Sequence, residues 1–175
     1  MIMKKYLIAM MLFIMAAFSN VQAQTKNALN HPVKVLVLCT GNTCRSQMAH
    51  GFFKSYDKNI QIYSGGVEPA RVINPKAVAV MAELGIDISM NKPHDVREYL
   101  NDTWDYVITV CDNAYETCPV FQGEVKNHMH IGFDDPSHAT GTPEFIDSEY
   151  HRVRDEIGAR MYALYQFILT DQNNK

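Results

Sequence analysis

The chain has 175 residues, a formal net charge of −3, 47% hydrophobic residues and four cysteines. That hydrophobic content excludes wholesale disorder. A net acidic chain with no basic block is not built to grip nucleic acid or an anionic membrane by charge, so any anion site must be local and geometric.

Residues 1–23 hold five of the ten methionines, both Lys4 and Lys5, and no acid. A short basic start, the apolar run Tyr6–Phe18 and the small-x-small sequence Val21-Gln22-Ala23 read as a signal peptide cleaved after Ala23. The run is 13 residues long, short of the roughly 20 that a membrane-spanning helix needs. The expected product is exported, periplasmic or secreted, with no membrane attachment after cleavage. Trimming leaves 152 residues, removes two lysines and moves the net charge to −5. Such a length suits one domain with a full core. Residues 24–32 read as a flexible mature N-terminus, and 33–170 as the single domain.

Val33-Lys34-Val35-Leu36-Val37-Leu38 is short, β-branched and almost wholly apolar, the pattern of a strand buried on both faces of a parallel sheet. Cys39-Thr40-Gly41-Asn42-Thr43-Cys44-Arg45-Ser46 follows at once, and then Met48, Phe52, Phe53 and Tyr56 recur at helical spacing. Ile60–Ser64 reads as a second strand, ended by Gly65-Gly66. Asn74-Pro75 opens a helix that Gly85 stops. Ile86–Val96 reads as irregular. Tyr106–Val110 is a third strand with Cys111 at its carboxyl end, and His128–Ile131 a shorter fourth. His128 and His130 read as edge or surface residues. Thr142 and Pro143 start a long final helix, with Ile146, Tyr150, Val153, Ile157, Met161, Leu164 and Ile168 as one apolar stripe. The expected fold is α/β, three layers, with a central four-stranded parallel sheet and helices on both faces. Ligands in such folds bind outside the carboxyl ends of the strands, where Cys39, Cys111 and Asp135 are all expected.

The first loop carries chemistry. Small polar residues between a buried strand and a helix turn backbone N–H groups toward one point, and the helix N-terminus adds positive potential. Arg45 offers a planar, bidentate donor for a tetrahedral oxyanion. The same groups would stabilise a Cys39 thiolate, with Ser46 as a further donor. Gly41 permits close approach, and Asn42 tolerates a left-handed backbone. Residues 40–46, namely Thr40, Gly41, Asn42, Thr43, Cys44, Arg45 and Ser46, thus form an expected oxyanion cradle above a nucleophile.

Four cysteines in an exported chain usually signal disulfides, yet 152 residues can fold without them. For Cys111 and Cys118 the residues alone leave three structural options: a static disulfide, two buried free thiols, or a zinc site using all four cysteines. The wide second spacing and the bulk of Arg45 count against the zinc site.

Val35–Ala49 resembles the catalytic loop of the low-molecular-weight protein tyrosine phosphatase superfamily. Gly132-Phe133-Asp134-Asp135-Pro136 and Arg152-Val153-Arg154-Asp155-Glu156-Ile157 are similar to its thioredoxin-coupled arsenate reductase branch. So is Val110–Pro119, which contains Cys111 and Cys118. The likeness runs from about Val33 to Tyr165.

This resemblance implies a relay. Cys39 attacks arsenate, Asp135 of the Asp-Pro dipeptide protonates the leaving oxygen, Cys111 attacks Cys39, and Cys118 then attacks Cys111. Asp134 is the rival acid. A thioredoxin-like reductant is the implied partner, a small oxyanion the substrate, and no bound cofactor is expected. Some relatives bind potassium near the loop. Asn42 and Ser64 match that site, but His50 replaces an acid and Asp95 is displaced, so potassium is not expected. Pro136-Ser137-His138-Ala139 lacks the tyrosines that line a phenyl ring, which speaks against a tyrosine substrate. The alternative activity is phosphoester hydrolysis through a cysteinyl phosphate. An oxyanion-binding module without turnover is a third option, but it needs neither nucleophile nor acid.

Overall fold

The computed structural model describes residues 28–173. The expected signal peptide, residues 1–23, and the start of the expected flexible segment lie outside them. The order of elements is β1 Val33–Cys39, α1 Arg45–Tyr56, β2 Ile60–Gly66, α2 Pro75–Ala82, a 3-10 turn Val96–Tyr99, β3 Trp104–Thr109, α3 Asp112–Glu116, β4 Val125–His130, a 3-10 turn Pro136–His138 and α4 Pro143–Asn173.

The strands form one four-stranded, wholly parallel sheet in the order β2-β1-β3-β4. β1 is central, which explains its near-continuous apolar run. Val33, Val35, Val37 and Cys39 face a core shared with α1, α2 and α4. Leu36 and Leu38 face a second core with Val96, Trp104 and Val107. The β1-to-β2 crossover steps one way through the sheet, and the β2-to-β3 and β3-to-β4 crossovers step the other way. α2 stays on the first face, and only the later parts of these two crossovers cover the opposite one. There Tyr99, Leu100, Cys118 and Phe121 pack against the second core. This α/β architecture is the one expected, with a thin second cover made of a 3-10 turn and coil.

Local chemistry accounts for the element ends. Asn74 caps α2, its side chain accepting from the N–H groups of Lys76 and Ala77 at 2.9 and 3.3 Å. Gly85 takes a φ of +73° just past the helix. Thr142 accepts from the Phe145 N–H at 3.2 Å ahead of α4, and the expected stripe of α4 is buried or half-buried.

Three features depart from the sequence reading. Part of the segment expected to be flexible is anchored: Leu29 is 2% exposed and donates its N–H to Asp57 at 2.8 Å. Polar neighbours hid a single apolar anchor. The stretch taken as irregular ends in the Val96–Tyr99 turn, closed by a capping box between Asp95 and Glu98. Arg154, on the apolar side of α4, is buried and satisfied by the Val80 carbonyl and Glu83.

Candidate active site

β1 ends by delivering Cys39 to the carboxyl edge of the sheet, and residues 40–44 turn the chain into α1. Four carbonyls of this turn, those of Cys39, Thr40, Gly41 and Thr43, accept hydrogen bonds from the N–H groups of Val67, Glu68, Ala70 and Asn74 at 3.0–3.2 Å. With those carbonyls turned outward, the loop N–H groups are left for the interior. The segment after β2 is thus an outer clamp, which no motif in residues 67–74 announces. Gly66 makes the close approach possible: a Cβ there would lie 2.6 Å from the Thr40 carbonyl oxygen and 3.0 Å from the Asn42 nitrogen.

Asn42 is the hub. It is fully buried and takes a left-handed φ of +51°, which points its N–H at Cys39 Sγ, 3.3 Å away. Its side chain donates to Ser46 Oγ at 2.9 Å, and Ser46 Oγ lies 3.0 Å from Cys39 Sγ. Gln47 Nε2 reaches both the Asn42 carbonyl and Oδ1 at 3.1 Å. The His94 N–H reaches Oδ1 at 2.9 Å, and Asn91 in turn holds Gln47. Gln47, Asn91 and His94 were not singled out from sequence; a buried Gln straight after a polar loop was the available signal.

Arg45 crosses the mouth of the loop. Its Nη1 donates to the Phe133 carbonyl at 3.0 Å, and its Nη2 to Asp135 at 2.5 Å. Its Nε is buried without a hydrogen-bond partner. Cys44 caps α1 without a side-chain hydrogen bond, and the first turn of α1 carries no acid. An unpaired guanidinium N–H and an open helix N-terminus at one place suit a tetrahedral oxyanion.

Cys111 arrives from β3, the neighbour of β1 in the sheet, in register with Leu38 paired to Thr109. Thr40 Oγ1 lies 3.3 Å from Cys111 Sγ and accepts from Asn113 at 3.2 Å. The Cys39 and Cys111 thiols titrate as a pair. The hydrogen bond from Cys39 pulls Cys111 down to about 5 against its burial, helped by Thr40, the Ala114 N–H and Arg45. The same hydrogen bond, together with burial, pushes Cys39 well above the ordinary thiol range, and Ser46 pulls the other way. The two thiols are thus shifted in opposite directions by the one hydrogen bond they share.

The other two cysteines are different. Burial, with Asp135 nearby, pushes Cys44 up to about 12 despite Arg45. Burial also raises Cys118. All four are free thiols. Cys118 packs in the second core, while Cys111 packs in the first with Cys39 and Cys44. The sheet thus separates the two redox candidates, and the four sulfurs do not converge as a zinc site requires.

Of the two carboxylates, Asp135 is the inward one. Burial works upward on it, but Ser137, which donates through both its N–H and its hydroxyl, and the charge of Arg45 leave its carboxyl below the usual range. Asp134 is exposed and held by Arg152 at 2.9 Å.

A family model described as low molecular weight phosphotyrosine protein phosphatase matches residues 34–174. The chain belongs to this phosphatase family. Within it, the chain is 47% identical over 128 residues to an arsenate reductase of Shouchella clausii, covering 73% of this chain and 91% of that one. It also superposes on solved structures. One is described as an arsenate reductase in the phosphate-binding state, with a TM-score of 0.64 and 30% identity over 78% of this chain and 98% of that one. Another is described as an arsenate reductase in the oxidised state, with a TM-score of 0.66 and 29% identity over 77% and 98%. Members of one phosphatase fold thus include proteins named for redox chemistry.

Proposed function

We propose that this phosphatase-family chain is a thiol-dependent arsenate reductase. The observation that carries the reading is the second sulfur beside the nucleophile. Hydrolysis of a phosphoester needs Cys39, Arg45 and Asp135 and has no use for a partner thiol beside them. Reduction does, because two electrons must reach the oxyanion. The 47% identical relative named arsenate reductase supports the same choice.

The steps balance as follows. The charge moves to Cys39 as its proton passes to Cys111. Cys39 Sγ bonds to arsenic, and one arsenate oxygen leaves as water after taking a proton from Asp135. Asp135 starts ionised beside Arg45; an oxyanion that occupies Arg45 and brings negative charge raises its proton affinity, as a donor requires. Cys111 gives the proton it took from Cys39 to water and, as thiolate, then bonds to Cys39 Sγ. The sulfur–arsenic bond breaks, its pair stays on arsenic, and As(V) leaves as As(III) arsenite. Cys118 bonds to Cys111 and frees Cys39 as thiolate. An external thioredoxin-like dithiol reduces the Cys111–Cys118 bond and is itself oxidised.

Potassium has no part in this reading. Ser64 Oγ is engaged by His50 Nδ1 at 3.3 Å, and Asn42 Oδ1 by Gln47 and His94. The reading places the protein outside the cytosol, following the expected cleavage after Ala23; N-terminal sequencing of fractionated protein checks that. Activity is tested with Cys111→Ser and Cys118→Ser, each assayed on arsenate with a dithiol donor and on an aryl phosphate. Cys111→Ser should release no arsenite. Cys118→Ser should release one equivalent and stop as a Cys39–Cys111 disulfide. Full arsenate reduction by both would overturn the reading. Aryl phosphate hydrolysis lost only in Cys39→Ser would favour the phosphatase.

A further inference from the structure

Cys111 and Cys118, the last two cysteines of the relay, are held apart by α3, a helix of five residues with four of them exposed. For Cys118 to leave the second core and reach Cys111, this helix must open. What keeps it shut comes largely from outside itself. His130, at the end of β4, stacks on Tyr115 of α3 with ring centroids 4.6 Å apart and planes at 36°. Its Nε2 lies 3.3 Å from Asp112 Oδ1, at the first turn of the same helix. Its Nδ1 lies 2.9 Å from Thr109 Oγ1, at the end of β3. One ring therefore ties both turns of α3 to the sheet.

Gly132 is an independent sign that this contact shapes its surroundings. Its φ is not among the positive values in the chain, so backbone conformation does not demand glycine. A Cβ there would instead lie 3.1 Å from His130 Nε2 and 3.2 Å from Asp112 Oδ1. The bare backbone leaves room for the His130–Asp112 contact.

We propose that His130 is a latch on the redox helix, a positioning residue that keeps α3 closed until the Cys39–Cys111 disulfide has formed. The inference rests on the arsenate reductase reading. In the closed state Cys118 is kept in the second core, away from Cys111 and the incoming oxyanion. In the open state Cys118 bonds to Cys111 Sγ, the Cys111–Cys39 bond breaks, Cys39 leaves as thiolate and the Cys118 proton passes to water.

The first test is hydrogen exchange on the reduced full chain at the Tyr115 and Thr117 amides, which bond to the Cys111 and Asn113 carbonyls. His130→Ala should speed their exchange about fivefold, the scale of one lost ring contact. His130→Phe, which keeps the stack, should restore most of the protection. Unchanged exchange in His130→Ala would overturn the latch. The second test is a single turnover with stoichiometric arsenate and no reductant, quenched in acid and mapped for disulfides. His130→Ala should leave arsenite release within about twofold and speed conversion of Cys39–Cys111 into Cys111–Cys118 by the same factor as exchange. A histidine with a merely structural role would slow both steps or neither. Failure of the wild type to form any Cys111–Cys118 bond would overturn the reductase reading and the latch's purpose with it. Normal conversion that His130→Ala leaves unaccelerated would overturn the latch alone.

Discussion

The loop at residues 39–46 and the segment at residues 111–118 both carry sulfur of the proposed relay, and they are built in opposite ways. The loop is clamped from outside by four backbone hydrogen bonds and from below by the buried Asn42, Ser46 and Gln47. The segment holds a five-residue helix with one buried residue, Ala114, and its two cysteines lie in different cores. A donor cradle works by being in place before charge arrives, since groups that need no reorganisation stabilise developing charge best. A carrier of electrons must travel, and local stability is low where few apolar contacts oppose opening. The molecule spends its packing on the first task and leaves the second element loose.

The sharpest way to break this comparison is to add one methyl group to the clamp. Gly66→Ala would set a Cβ 2.6 Å from a backbone oxygen that cannot move aside. The loop must shift, and oxyanion affinity should fall about a hundredfold, the order expected for a displacement near 1 Å. Inhibition by phosphate measures it. Glu116→Ala, on the exposed face of α3, should change the same constant less than about twofold. Equal effects would mean that the loop is not preorganised.

Asp135→Asn tests the cradle from the other side. It keeps the shape, and its one oxygen can still accept from Arg45 at the cost of the Ser137 N–H contact, but it removes the proton donor. Arsenite release in a single turnover should fall by about a hundredfold or more, while Cys118 attack on a preformed Cys39–Cys111 disulfide should be unaffected. Slowing of both steps would show that Asp135 supports structure rather than proton transfer.

The same division governs what could be read from the sequence. The cradle was legible because its parts are contiguous: an apolar strand, small polar residues, Cys39 and Arg45 at fixed spacing. That Cys111 and Cys39 share the carboxyl edge of the sheet was legible from two parallel strands, while their meeting was implied only by the resemblance, because the sequence does not order the strands. The outer clamp at residues 67–74 was not, since it is made by backbone N–H groups whose side chains carry no signal. Arg154 and the Gln47–Asn91–His94 support satisfy buried polar groups across the tertiary fold, a requirement visible only once the neighbours are placed. His130 read as an edge residue because it sits on a short terminal strand, and nothing in the sequence pairs it with Tyr115 in the crossover before β4. Leu29 was one apolar residue in a polar stretch, too little for a pattern.

A smaller effect sharpens the rigid half through pH. Burial, aided by Lys54 and His94, pulls His50 down to about 4. The folded chain therefore resists a proton that the unfolded chain takes up near pH 6.5. Above 6.5 the group is neutral in both states and contributes no pH dependence. Between 6.5 and 4 the unfolded state binds more protons, so stability falls as pH drops, by up to about 3 kcal/mol, and levels off below 4. Urea unfolding across this range should show the slope, and His50→Gln should flatten it. An unchanged slope would move its origin to another group.

The smallest expected effect lies inside the loop itself. Cys39 and Cys44 belong to one motif, but only Cys39 receives donors: the Asn42 N–H and the Ser46 hydroxyl. Cys44 sits in apolar packing with Met48 and Ala49, and burial keeps its thiol protonated with a pKa pushed up to about 12. Cys44 thus lacks the hydrogen-bond partners that can stabilise a thiolate at Cys39. Its backbone caps α1, and Cys44→Ala keeps that. Arsenate turnover should therefore stay within about twofold, while stability drops by about 1 kcal/mol for the lost sulfur contacts. Iodoacetamide, given equal access, should label Cys39 or Cys111 in the folded wild type and spare Cys44. A large loss of turnover in Cys44→Ala would mean that the side chain takes part in the chemistry. The cradle would then hold a second working sulfur, and loop and redox segment would no longer divide the work as their packing implies.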